Sequence, residues 1–60
     1  MTDEQIASLR HDLRNPLAVI LGFADLLASE REISSEQRRE YADRIRAAAA
    51  EIRRELDAGV

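Results

Sequence analysis

The chain is 60 residues long, carries a net charge of −3, contains one histidine and no cysteine, and is 35% charged but only 3% aromatic. At this length a monomer buries only about 60% of the surface that its unfolded chain exposes. Without thiolates or a second histidine, we expect neither disulfides nor a bound metal. Stability must therefore come from a partner subunit. Arginines and acidic residues are interleaved along the chain, which disfavours nucleic-acid binding. The longest apolar run, residues 17–22, is far shorter than the roughly 20 residues of a membrane span. We therefore expect a cytoplasmic location without direct membrane contact.

The first predicted element is a helix over residues 3–30. Thr2 and Gln5 have the spacing of a capping box, and the acidic Asp3 and Glu4 suit the positive end of a helix dipole. Apolar residues then recur in steps of three and four, which is the period of one helix face. This first stripe consists of Ile6, Leu9, Leu13, Leu17, Ile20, Phe23 or Ala24, and Leu27.

A turn over residues 31–34 and a second helix over residues 35–57 follow. Ser34 and Gln37 form the second predicted capping box, and Gly59 is a suitable stop after the helix. The second stripe consists of Tyr41, Ala42, Ile45, Ala48, Ala49, Ile52 and Leu56. A short connection makes the helices antiparallel, and two helices alone cannot enclose a core. We therefore predict that residues 1–60 form a single all-α domain, an antiparallel helical hairpin that homodimerises into a four-helix bundle.

The one histidine, His11, is predicted to lie outside the core. With the first stripe at heptad positions a and d, His11 falls at position f, the point of the helix farthest from the core. Asn15 lies one turn further on the same face, within reach of a group attached to the imidazole. Asp12 is adjacent in sequence, but periodicity does not show whether its carboxylate touches the ring. A histidine with no role on the surface is the alternative interpretation.

Pro16 stands inside an otherwise strong helical pattern, where it costs about 3 kcal/mol or more. Because the stripe continues in phase across it, we predict a helix kink at Pro16 rather than the start of a new helix. Beyond Asn15, the outward strip continues through Ala18, Gly22 and Asp25, which are smaller than the side chains of a typical solvated helix. Gly22 also costs about 1 kcal/mol in a helix interior. These small residues favour a surface that binds another protein.

The run from His11 to Leu17, His-Asp-Leu-Arg-Asn-Pro-Leu, resembles the H-box of the HisKA class of histidine kinases. The pattern of that box is His, Asp or Glu, two residues, Thr or Asn, Pro, Leu. The family places it in the first helix of a hairpin that dimerises into a four-helix bundle, and the resemblance spans nearly the whole chain. Two positions depart from the pattern: Arg10 stands where serine is common, and Ile6 where an aromatic residue is frequent. Neither carries the chemistry.

The resemblance implies a phosphoryl relay of two-component signalling. A catalytic domain that binds Mg-ATP, in the same or a separate chain, would transfer the γ-phosphoryl group to His11, and an aspartate in the receiver domain of a response regulator would then accept it. The same surface would promote hydrolysis of the phosphorylated regulator. In this scheme Asp12 orients the imidazole and accepts a proton, and Asn15 aligns the water. Arg14 belongs to the partner-binding surface, where it either contacts phosphate or forms a surface ion pair.

The sequence contains no Gly-rich phosphate loop, so we expect no autonomous kinase activity and no cofactor bound by this domain itself. The chain is then a piece of a sensor histidine kinase, including the cytoplasmic part of a membrane-bound one, or a stand-alone phosphotransfer protein. A purely structural homodimerisation hairpin with an incidental histidine is the alternative from a different class. A metal-dependent or hydrolytic function lacks the second histidine or activated nucleophile that it needs.

Overall fold

A computed structural model describes residues 2–29 and 32–59 of the chain. It contains two helices, α1 (Asp3–Ser29) and α2 (Ser35–Gly59), and residues 32–34 belong to their connection. The helices pack against each other as an antiparallel hairpin about 47 Å long. The predicted all-α hairpin is therefore confirmed.

Both helices begin at the capping boxes that the sequence predicts. The backbone N–H of Gln5 donates to the Thr2 hydroxyl at 3.2 Å, and the backbone N–H of Thr2 donates to the side-chain oxygen of Gln5 at 2.8 Å. The corresponding bonds between Ser34 and Gln37 measure 3.0 and 3.1 Å. Each reciprocal pair satisfies two backbone donors that a helix start leaves without partners. These caps fix the first residue of each helix.

The far end of α2 differs slightly from its predicted bound. The predicted end of the first helix at residue 30 and the start of the turn at residue 31 lie outside the described residues. Helix α2 continues to Gly59 and so includes two residues beyond the predicted end at residue 57. Ala58 is a strong helix former, which suits this extra length.

The register of the hairpin follows from an aromatic pair near the connection. The ring centroids of Phe23 and Tyr41 lie 5.4 Å apart. In an antiparallel pair of helices, a step of seven residues backward along one helix is matched by a step of seven residues forward along the other. The two residues reached in this way again lie opposite each other. This step places Pro16 opposite Ala48, and these two are the buried residues among those described. A further step places Leu9 opposite Glu55, and both line one cleft. We call this line of facing residues the seam.

Only part of the first stripe lies in the seam. Leu17, a member of that stripe, is 48% exposed, and Pro16 occupies the seam position. Residues 16 and 17 point about 100° apart on a helix, so only one of them can face α2. The seam follows the strict heptad steps of residues 9, 16 and 23, and Leu17 lies to one side of it.

A second apolar surface lies beside the seam. Leu17 and Ala24 each follow a seam residue of α1, and Ala49 and Leu56 each follow a seam residue of α2. Because the helices are antiparallel, the residue that follows a seam residue points to the same side of the hairpin in α1 and in α2. We call this the exposed apolar face, and it consists of Ile6, Leu17, Leu21, Ala24, Ala42, Ala49 and Leu56, all of them exposed.

The apolar residues of the hairpin are distributed around amphipathic helices rather than gathered into one long segment. Within residues 2–29 and 32–59, neither helix has a stretch long and apolar enough to cross a membrane.

Candidate functional site

His11 lies in the third turn of α1, and its side chain is 80% exposed. Its ring is therefore accessible to another macromolecule, as the heptad position predicts. The neighbouring Asp12 side chain is 49% exposed, and its Oδ1 atom lies 3.7 Å from the His11 Nδ1 atom. This distance is slightly longer than a hydrogen bond, so a small rotation of either side chain would allow the Nδ1 proton to be donated to the carboxylate. Helical periodicity could not show whether Asp12 lies next to the imidazole. The structure brings the two side chains close together.

The geometry assigns different surroundings to the two ring nitrogens of His11. Nδ1 faces the Asp12 carboxylate. When a carboxylate accepts from Nδ1–H, the neutral tautomer leaves the lone pair on Nε2. The arrangement can therefore present a neutral, oriented imidazole whose Nε2 atom is free to attack an electrophile.

Asn15 and Arg14 lie within the next helical turn, and both are exposed. Asn15 is four residues after His11, so its amide lies on the same face of α1, about one turn away. Arg14 forms no ion pair within the part of the chain that the structure describes. Both side chains are therefore accessible to a group bound near the imidazole.

Pro16 is part of the continuous helix α1 and is buried in the seam. Since proline has no amide hydrogen, the helical bond that residue 16 would donate to the carbonyl of Asp12 is missing. The backbone ladder is thus interrupted directly after His11 and Asp12, and the side-chain ring of Pro16 anchors the following turn against α2.

The outward strip of Ala18, Gly22 and Asp25 is exposed along its length, as the sequence predicts. A Cβ atom built on Gly22 would meet nothing within 4 Å. Packing within the hairpin therefore does not require a glycine at this position, although glycine lowers helix stability by about 1 kcal/mol relative to alanine.

An apolar cleft beside this strip was missed in the sequence interpretation. It is lined by Val19, Gly22, Phe23 and Leu26. Val19 and Leu26 are exposed and lie on the side of α1 opposite Leu17. The signal was present in the sequence, because a valine and a leucine seven residues apart stand outside the assigned stripe. The site residue His11 and this cleft share one side of the hairpin.

A second cleft lies about one turn before His11, at the end of the hairpin away from the connection. Gln5, Ser8, Leu9, Asp12, Glu55 and Ala58 line it. Glu55 was also missed, because the predicted stripe of α2 runs through Leu56. Within residues 2–29 and 32–59, no group of three or more histidine, cysteine, aspartate or glutamate side chains is arranged to hold a metal ion.

Comparison with known protein families matches residues 1–57 to HisKA, described as the His Kinase A (phospho-acceptor) domain. The matched range covers nearly the whole chain, with all of α1 and α2 up to residue 57, so it contains His11 together with its neighbours. Searches among curated proteins and among solved structures give no match.

Proposed function

The chain belongs to the HisKA family of histidine kinase phospho-acceptor domains, a membership that implies histidine phosphotransfer in two-component signalling, and we propose that His11 is the residue that carries the phosphoryl group. The observation that carries this proposal is the exposed imidazole with a carboxylate 3.7 Å from its Nδ1 atom. His11 is also the only histidine in the chain. HisKA domains work with an ATP-binding domain and a response regulator, and these are the partners that the family implies here.

In the first proposed reaction, the neutral imidazole attacks the γ-phosphorus of Mg-ATP held by the ATP-binding domain. The bond from His11 Nε2 to phosphorus forms while the bond from phosphorus to the β,γ-bridging oxygen breaks, and ADP leaves. The Nδ1 proton moves toward the Asp12 carboxylate, which neutralises the positive charge that develops on the ring. Asp12 therefore acts as the orienting carboxylate and general base. The remaining catalysis is positioning and charge stabilisation supplied by the partner domain.

In the second proposed reaction, an aspartate of the regulator attacks the phosphorus, the bond to Nε2 breaks, and the proton held by Asp12 returns to Nδ1. This transfer regenerates the neutral imidazole. The exposure of His11 supports it, because a receiver domain must approach closely enough for the two reacting atoms to meet. No side chain of the described hairpin has to move away for that approach, since the imidazole is 80% exposed.

The third proposed reaction is hydrolysis of the acyl phosphate on the regulator. It needs a water in line with the bond from phosphorus to the carboxylate oxygen, and it releases phosphate and the free aspartate. The Asn15 amide is exposed on the face of His11 and can both donate and accept hydrogen bonds. We assign to Asn15 the alignment of this water, a task that needs hydrogen bonds but no strong base.

The regulator is proposed to dock on the strip of Ala18, Gly22 and Asp25 and in the adjoining apolar cleft. Small side chains allow the partner's backbone to come close, and the exposed Val19 and Leu26 supply the apolar area that protein interfaces bury. Arg14, exposed at the start of this surface, is positioned to contact a phosphate group.

A homodimer is proposed to form through the exposed apolar face. That face leaves large side chains such as Leu17 and Leu21 in contact with solvent, Leu21 at 63% exposure. A second copy would bury them and complete a four-helix core. His11 lies on a different side of α1, so the dimer would leave it accessible to both partners. We place this phosphotransfer reaction in the cytoplasm, where ATP and receiver domains are available.

The proposed function is tested by incubating the chain with a matched ATP-binding domain and labelled ATP. We expect the chain to acquire label that is lost in acid and retained in base, as a phosphorus–nitrogen bond requires, and His11→Gln to abolish it. A purely structural hairpin would remain unlabelled. Label retained by His11→Gln, or label stable in acid, would contradict the assignment.

A further inference from the structure

We propose that Glu55 makes the Leu9–Glu55 layer a weak point of the seam, at which the two helices separate locally while the rest of the hairpin stays packed. We call the end of the hairpin away from the connection the open end. Among the residues whose side chains the structure describes, Glu55 is the one charged residue that is not exposed. The heptad step from Tyr41 through Ala48 leads directly to it, so a carboxylate occupies a position that the seam otherwise fills with apolar groups.

The surroundings of Glu55 do not compensate for this placement. Within residues 2–29 and 32–59, no ion pair or hydrogen bond to its carboxylate is formed. Leu9 and Asp12 also line the cleft at Glu55. A half-buried carboxylate packs less favourably against Leu9 than an apolar side chain would, and an open arrangement would let it be fully hydrated.

The layer at the open end has neither an aromatic pair nor a buried residue. Near the connection, Phe23 and Tyr41 are half-buried and form an aromatic pair. In the middle, Pro16 is fully buried and Ala48 is 5% exposed. At the open end, Leu9 and Glu55 are half-buried, and the layer that they form includes a carboxylate. The missing backbone bond at Pro16 further reduces the coupling of the first half of α1 to the second. Local opening should therefore stop at the Pro16–Ala48 layer.

Dimerisation would not remove this weak point. Leu56 lies on the exposed apolar face, but Glu55 precedes it by one residue and points about 100° away. A second copy seated on that face would cover Leu56 and leave Glu55 in the seam of its own hairpin. The weak point is thus a property of the single hairpin and does not depend on the proposed phosphotransfer.

The test is amide hydrogen exchange on the 60-residue chain and on Glu55→Leu. In the native sequence, we expect amides in residues 7–13 and 51–57 to exchange faster than those in residues 19–26 and 41–48. Glu55→Leu should slow exchange at the open end by about tenfold or more, and should change the connection end much less. Glu55→Gln, which removes the charge and keeps the shape, should give a smaller slowing in the same segments.

The matched control is Glu51→Leu, the same replacement one turn earlier on α2 at an exposed position. It should leave the difference between the two ends unchanged. Equal slowing of all amides by Glu55→Leu would mean that Glu55 affects only global stability, and the proposal would be wrong. It would also be wrong if Glu55→Leu had no effect, or if Glu51→Leu had the same local effect. None of these readouts involves phosphate, so the result is independent of the proposed function.

Discussion

At the scale of single residues, His11 and Asn15 are expected to serve different reactions although they are neighbours on one helix face. His11→Ala removes the nucleophile, so phosphorylation of the chain and transfer to the regulator should be lost, while hydrolysis of the phosphorylated regulator should partly remain. Asn15→Ala leaves the imidazole and Asp12 in place. It should therefore keep phosphorylation and transfer and lose most of the hydrolysis.

This separation is measured by taking both variants through all three reactions with a supplied ATP-binding domain and regulator. Both residues are exposed, so neither change should disturb the hairpin. Circular dichroism provides the control for folding. If Asn15→Ala lowered phosphorylation and hydrolysis equally, Asn15 would be part of a shared docking surface and would not have a role in aligning water.

Asp12 is expected to act through its charge. Asp12→Asn keeps the size of the side chain and its ability to accept a hydrogen bond from Nδ1, but it removes the base. Autophosphorylation should slow by about 10²-fold or more, the usual contribution of a positioned general base. Single-turnover phosphorylation at saturating ATP measures this step directly. Asp43→Asn, the same change at an exposed position of α2, is the control, and an equal loss there would contradict the role of Asp12.

The proposed site residues could be located from the sequence because they are consecutive or one turn apart on one helix. Helical periodicity places His11 and Asn15 on one face without any knowledge of the packing. The contact between Asp12 and His11 could not be predicted, since adjacent helical residues diverge by about 100° and only their rotamers decide whether they meet. Val19 and Leu26 were missed because they stand outside the assigned stripe, and Glu55 was missed because its burial depends on where α1 lies.

At the scale of the helix, Pro16 is expected to lower the stability of the hairpin and to let α1 bend more freely. Pro16→Ala restores the missing bond to the Asp12 carbonyl and should raise the free energy of unfolding by roughly 1–3 kcal/mol. If the bend that we predict at this position serves the docking of the ATP-binding domain, the same change should shift the ratio of autophosphorylation to regulator hydrolysis. Thermal unfolding and the two rates, measured on one preparation, test both effects.

Asp43→Ala is the control for stability alone, because it raises helix propensity at an exposed position of α2 away from the site. A ratio of rates that changes with Pro16→Ala but not with Asp43→Ala would support the proposed role of the bend. Raised stability with both rates unchanged would leave Pro16 without a role in the reactions.

The helices themselves were predictable, but the division of their apolar surface was not. Capping boxes and the three-and-four periodicity identify both helices and the first residue of each. The stripes, however, are wider than one seam, as the pairs Ala48 and Ala49 and Glu55 and Leu56 illustrate. Periodicity cannot tell which member of such a pair faces the other helix of the hairpin and which lies on the exposed apolar face. The packing resolves this by placing Pro16 inside and Leu17 outside.

At the scale of the whole molecule, assembly is expected to depend on one side of the hairpin only. Leu17→Asp places a charge on the exposed apolar face and should dissociate the homodimer, raising its dissociation constant by about 10²-fold or more. Ile45→Asp, in the half-buried part of α2, should dissociate and unfold the chain together, because it also places a charge in the packing between the two helices of the hairpin. Sedimentation equilibrium and circular dichroism over a range of concentrations distinguish the two results.

Leu26→Asp is the matched control, since Leu26 is also an exposed leucine of α1 but lies in the cleft on the other side. It should leave the dimer intact and weaken binding of the regulator. A well-folded monomer of the native chain at micromolar concentration, or dissociation by Leu26→Asp and not by Leu17→Asp, would contradict the proposed dimer.

The central claim is that this hairpin carries a phosphoryl group on His11, and direct mapping of the modified residue tests it most directly. The chain is phosphorylated by a matched ATP-binding domain, kept at alkaline pH, digested, and sequenced by fragmentation mass spectrometry. We predict that the phosphoryl group is found on His11 and on no serine, threonine or tyrosine. A phosphoryl group located on a hydroxyl side chain, or an unmodified His11 after incubation with an active catalytic domain, would contradict the account.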